Sequence, residues 1–87
     1  MLNRKITVKN PSGLHMRPAG IFVKVVKNFE SEVMIFIRGN EYNAKSMLNL
    51  LSACIKSGDE IELRINGVDE EECMKAVVEA IESGLGE

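Results

Sequence analysis

The sequence is poor in the residues that would give it an aromatic core, a metal centre or a membrane span. It has no Trp, one Tyr and three Phe, so the interior must be built from aliphatic side chains. There is one histidine and two cysteines, Cys54 and Cys73, which are far apart and have no neighbouring Cys or His. Structural zinc takes about four ligands at close spacing, so a zinc site is excluded and no metal is expected. Two buried thiols in a reducing cytosol are the expected state. Charge of one sign is also missing. Eleven basic against thirteen acidic residues leave a net charge of −2, with the acidic residues spread along the chain. Gripping a phosphate backbone needs a clustered basic surface, so direct nucleic-acid binding is not expected. The longest uninterrupted apolar run, Val33 to Ile37, is far too short to span a bilayer, and the N-terminus lacks the apolar segment of a secretory signal. A cytoplasmic protein with no membrane insertion is expected.

What is present is one domain's worth of chain, residues 1–87, with 45% apolar residues and no repeat or linker. Lys5 to Lys9 alternates with period two, which predicts a strand with Ile6 and Val8 inward, and Asn10-Pro11-Ser12-Gly13 stops it. Ala19, Phe22, Val26 and Phe29 then recur at three- and four-residue spacing, predicting a helix from about Met16. Glu32 to Arg38 reads as a well-buried strand, with Gly39-Asn40 as a hairpin loop into a short strand over Glu41 to Asn43. Ser46 is the expected N-cap of a short helix. Glu60 to Ile65 alternates cleanly, so one face of the sheet is expected to be wet. Asp69 and Glu72 are spaced as a capping box before a last helix with Met74, Val77, Val78 and Ile81 inward, ended by Gly84. The order β-α-β-β-α-β-α predicts an α+β fold, a four-stranded sheet with three helices on one face.

The stretch Ser12-Gly13-Leu14-His15-Met16-Arg17-Pro18-Ala19 carries the chemistry. It puts His15 at or just before a helix N-terminus, where open N–H groups and the macrodipole favour an anion. Arg17 adds a permanent cation with forked donors suited to phosphate, and Pro18 stands where a missing N–H costs nothing. A neutral imidazole is a nucleophile near pH 7, so the pattern suits a phosphoryl acceptor whose labile P–N bond passes the group on. Equally, a lone His at this place can be a plain cap or surface residue. Ser46 caps its helix, and a phosphate there would be tolerated at the positive helix end. Met16, Met47, Leu48 and Leu51 either complete the core or form an apolar docking patch beside the reactive site.

The residues Gly13 to Ala19 resemble the active-site signature of HPr, the histidine-containing phosphocarrier family of the sugar phosphotransferase system. Lys45-Ser46-Met47-Leu48 resembles the family's regulatory serine motif, and Gly84-Leu85-Gly86-Glu87 resembles an ending common in Gram-positive members. The resemblance covers essentially the whole chain. It implies an open-faced β-sandwich and a carrier that needs no cofactor, and by this likeness a monomer is expected. Enzyme I would phosphorylate His15 at Nδ1, Arg17 would steady the group, and the A components of sugar permeases would receive it. A serine kinase/phosphorylase would act on Ser46, and the phosphoserine would favour a catabolite-control transcription factor. Three positions depart from the family's habit: Met16 for a small residue, Gly20 for a polar one, and Asn49 where Gly is common. They alter the rim of the docking face formed by Met16, Gly20, Met47, Leu48 and Leu51. A regulatory paralogue working through Ser46 alone does not need His15, and a parallel nitrogen-related relay does not need the Lys45-Ser46 motif. A free-standing enzyme is disfavoured, because one His and one Arg make half of an active site.

Overall fold

The computed structural model describes residues 1–87. Seven elements follow the predicted order: β1 (Leu2–Thr7), α1 (Met16–Val26), β2 (Glu32–Ile37), β3 (Asn40–Asn43), α2 (Met47–Ser52), β4 (Glu60–Asn66) and α3 (Glu70–Glu82). The strands form one antiparallel sheet in the order β1-β4-β2-β3. Pairing sets Val33 opposite Ile65, Ile35 opposite Leu63 and Ile6 opposite Ile61, so a row of β-branched and aliphatic side chains shares one face. Phe22 and Val26 of α1, Leu50 of α2, and Val77 and Ile81 of α3 join that row in a single core cluster. Full burial of such side chains contributes about 1.5–3 kcal/mol each.

The opposite face of the sheet is open. Met34 and Phe36 of β2 are only half-buried there, and the Arg64 guanidinium lies 3.9 Å from the Phe36 ring centre while bonding to Glu62 at 3.2 Å. The expectation of a well-buried β2 holds for one face only: Val33, Ile35 and Ile37 are inward. The strand β1 begins earlier than its alternation suggested. Arg4 takes an inward register opposite Leu63 at the sheet edge and remains exposed, which breaks the apolar pattern of its first half. Val8 is buried beyond the strand, tied to Asp59 and Gly58 through its backbone N–H and C=O.

Three local expectations are also corrected. Ile37 pairs with Asn40, so the hairpin loop is Arg38-Gly39 rather than Gly39-Asn40. Both loop residues have positive φ, +50° and +76°, as a turn compatible with strand twist demands. Phe29 lies past the end of α1, half-buried against the core instead of on the helix. Asp69 makes no capping bond: its carboxylate turns to the amides of Glu30 and Ser31, both 2.9 Å away, and to the Ser31 hydroxyl. That segment has no sheet partner of its own, so the carboxylate satisfies it in place of the helix end. The Ser31 hydroxyl, then the Glu30 amide, hold the Asp69 carboxyl below its ordinary value.

Gly84 does end α3. At φ +92° its N–H donates to the Ile81 carbonyl, and that of Leu85 donates to Ala80, which closes the helix in a Schellman motif. Cys73 is fully buried, and burial pushes its thiol up to about 11. Cys54 is exposed, contrary to expectation, because it takes a left-handed φ of +51° at the surface just after α2. No helix is long and apolar enough to cross a membrane.

Candidate functional site

The loop between β1 and α1 is fixed before it reaches His15. Asn10, 2% exposed, donates through Nδ2 to the Gly13 carbonyl at 2.6 Å and accepts the Gly13 amide on its own carbonyl at 3.0 Å. Gly13 has φ +63°, and a Cβ there would lie 2.5 Å from the Ile55 carbonyl oxygen. Only glycine meets both conditions. The Leu14 amide then donates to that same Ile55 carbonyl at 2.9 Å, and the Leu14 side chain is buried.

His15 emerges from this anchor as the residue preceding α1, extended at φ −73° and ψ 178°. Its carbonyl accepts the Ala19 amide at 2.7 Å, but its imidazole makes no capping bond. The reading of His15 as a plain cap therefore loses its support. The Met16 and Arg17 amides have no partner, and Pro18 has no N–H to satisfy, so two donors stay open at the positive helix end. Arg17 is exposed and makes no ion pair. The ring of His15 borders a cleft of about 300 Å³ whose other walls are Ser12, Leu14, Leu51, Cys54, Ile55 and Lys56.

Ser46 stands at the start of α2, and its Oγ accepts the Asn49 amide at 3.2 Å, as an N-cap should. Asn49 also accepts the Asn43 amide on Oδ1 at 2.5 Å, tying the approach of the chain to the helix. A glycine at 49 could not make that tie. Lys45 donates from Nζ to the Phe29 carbonyl at 2.8 Å. Of the docking candidates, Met16 is 68% and Leu48 82% exposed, whereas Met47 and Leu51 are half-buried against the core. Gly20 faces Met47, with 3.9 Å between its Cβ direction and the Met47 methyl. The structure thus brings Leu51 to His15 and Met47 to Gly20.

A family profile described as PTS HPr component phosphorylation site matches residues 2–83. The chain belongs to the HPr family. The HPr-like protein Crh of Halalkalibacterium halodurans is 42% identical over 82 residues, covering 94% of this chain and 98% of that one. The phosphocarrier protein HPr of Mycoplasma pneumoniae is 39% identical over 79 residues, 90% of each chain. A crystal structure of HPr from Thermoanaerobacter tengcongensis superposes with a TM-score of 0.96 at 39% identity, over 100% of this chain and 98% of that one. The open four-stranded sheet with three helices is the HPr fold.

One contact to the His15 loop was not placed by the reading of the sequence. After the Schellman turn, Leu85 is buried at φ +50° and Gly86 at φ +86° passes so close to Ile21 that a Cβ would lie 2.7 Å from its methyl. The chain thereby delivers the Glu87 carboxylate to the His15 loop. It accepts Asn10 Nδ2 at 2.9 Å, the Ser12 amide at 3.0 Å and the Ser12 hydroxyl at 2.7 Å. The Ser12 hydroxyl, then Asn10, the Ser12 amide and the charge of Arg17 hold the Glu87 carboxyl below its ordinary value. In the sequence this latch showed only as the Gly84-Leu85-Gly86-Glu87 ending, with nothing to say what Glu87 would meet. The Ile55 carbonyl that anchors Leu14 gave no signal either, because a backbone acceptor does not depend on residue type.

Proposed function

We propose that this phosphocarrier receives its phosphoryl group on His15 from phosphorylated enzyme I and passes it to the A components of sugar permeases. The observation that supports this most directly is the free His15 imidazole beside two open helix amides and an unpaired Arg17. The lone pair of a ring nitrogen, Nδ1 by family likeness, attacks phosphorus as the bond to the donor breaks. The Met16 and Arg17 amides and the Arg17 guanidinium then face the phosphoryl oxygens. The cleft holds no carboxylate and no second imidazole, so the docked protein completes the reaction centre. Met16 and Leu48, with the half-buried Met47, Leu51 and Gly20, form the apolar contact face for that docking. The chain works as one unit over residues 1–87, as a cytoplasmic monomer without cofactor or metal.

Ser46 is the regulatory site in this reading, the target of an ATP-dependent kinase/phosphorylase. A phosphate on its Oγ adds roughly −1.5 to −2 charge at the start of α2, whose far end borders the His15 cleft. That charge repels an acidic donor and favours a basic partner such as a catabolite-control transcription factor. A second reading, a regulatory module working through Ser46 alone, draws on the 42% identity to an HPr-like protein Crh. A dimer is the corresponding alternative to the monomer, since HPr of Thermoanaerobacter tengcongensis and Crh of Bacillus subtilis have both been solved as dimers.

Incubation with phosphoenolpyruvate and enzyme I separates the readings. Acid-labile, base-stable label supports the carrier. Acid-stable label formed only with ATP and the kinase supports the regulatory module. Arg17→Ala is expected to slow acceptance by about tenfold or more, since a charge-assisted bond to phosphate is lost. Unchanged kinetics in that variant would remove Arg17 from the site.

A further inference from the structure

Arg38 has no part in the site as described, yet it holds the cleft wall that faces His15. Its backbone sits at φ +50°, a place where Gly or Asn is the comfortable choice. Its guanidinium reaches over the connection between α2 and β4. Nη1 donates to Asp59 Oδ2 at 3.2 Å, and Nη2 donates to the carbonyls of Ala53 and Cys54, the latter at 3.2 Å. Those carbonyls belong to the C-cap of α2 and the residue after it, where the chain leaves the helix and its acceptors have no helical partner. Asp59 Oδ2 also accepts the Lys56 amide at 2.9 Å, so residues 53–59 are wrapped around one planar cation.

The other edge of this segment carries the His15 loop. Ile55 accepts the Leu14 amide, Gly13 rests on the Ile55–Lys56 peptide, and Asp59 accepts the Val8 amide at 2.9 Å. Cys54, Ile55 and Lys56 then form one wall of the cleft with His15 on the other. Taking His15 as the phosphoryl acceptor, we infer that Arg38 is a positioning residue for the reaction: by clamping Ala53, Cys54 and Asp59 it fixes the wall against which the phosphoryl-bearing partner meets His15. The role suits Arg and not Lys, because a forked donor can hold two carbonyls and a carboxylate at once. It is also separable from stability. The side chain is 52% exposed, and ion pairs of that kind contribute little to folding.

The test compares wild type, Arg38→Gly and Arg38→Lys. Glycine keeps the positive φ of the turn while removing the clamp. Three quantities are read: the thermal midpoint, the rate at which Cys54 in native protein reacts with Ellman's reagent, and the KM and kcat for acceptance from phosphorylated enzyme I. Cys73 is buried and does not interfere. Arg38→Gly should melt cooperatively near the wild-type midpoint. Its Cys54 should react about three- to tenfold faster, and KM should rise by a similar factor with kcat within about twofold. Arg38→Lys should fall between. The inference is overturned if KM stays within about twofold of wild type, or if KM rises with Cys54 reactivity unchanged. It is overturned equally if Arg38→Gly loses its cooperative melt, which would make the clamp structural. Failure of the wild-type protein to accept phosphate would sink the His15 reading and the inference with it, whereas failure confined to the Arg38 comparison leaves that reading standing.

Discussion

At the scale of single residues, Gly13 and His15 divide the labour. His15 keeps its imidazole free only because everything before it is pinned: Asn10 to Gly13, Gly13 against Ile55, and Leu14 onto the Ile55 carbonyl. The central position is Gly13. A methyl group there meets a backbone carbonyl at 2.5 Å and is forced into a left-handed φ as well. Gly13→Ala is expected to cost at least about 2 kcal/mol, read as a lowered denaturation midpoint with unchanged slope. A variant as stable as wild type would show that the loop can move away from Ile55 freely. The motif around His15 was legible in the sequence because residue type alone carries it: a His, an Arg and a Pro at a helix start. The clamp on its far wall was not. The Ile55 carbonyl would serve equally from any side chain, so nothing in residue 55 announces it.

At the scale of elements, periodicity predicted what periodicity governs. The apolar stripes of α1 and α3 and the alternation in β4 fall on the buried faces as read. Failures occurred where a side chain served a neighbouring element in place of its own. Asp69 is spaced to cap α3 but satisfies the amides of residues 30 and 31. Arg38 stands in the hairpin loop where a strand end was expected, and its guanidinium bonds to the carbonyls just past α2. Gly20 behaves differently again. It lies inside α1 without any demand for a missing Cβ, since the nearest side-chain atom is an ordinary 3.9 Å away. Gly20→Ala should therefore stabilise the protein by about 0.5–1 kcal/mol through helix propensity. A fall in the thermal midpoint would reveal crowding against Met47 that the geometry does not contain.

For the molecule as a whole, the sheet and helices bring the last residues of the chain to the loop between β1 and α1. Glu87 bonds to Asn10 and Ser12 across 77 and 75 residues, through a tail that Leu85 anchors in the core. Chain ends carry no periodicity, so this closure could not be read from pattern. Its pH dependence follows from its sign. The Glu87 carboxyl is held below its ordinary value of 4.5, since its partners bind the ionised form. The latch therefore adds stability in full above pH 4.5 and loses it as pH falls through the folded value. Thermal midpoints between about pH 6 and pH 3 should drop less steeply in Glu87→Gln than in wild type. Parallel curves would mean that the tail contributes nothing to the fold.

The account depends above all on His15 being the acceptor, and one comparison tests it directly. Wild type and His15→Ala are incubated with phosphoenolpyruvate and enzyme I, and acid-labile phosphate is counted on each. His15 is exposed and its ring has no hydrogen bond to lose, so the variant should fold and melt as wild type does. The account predicts label on wild type and none on the folded variant. Acid-labile label of equal yield on His15→Ala would contradict it, since the sequence contains no second histidine to carry the group.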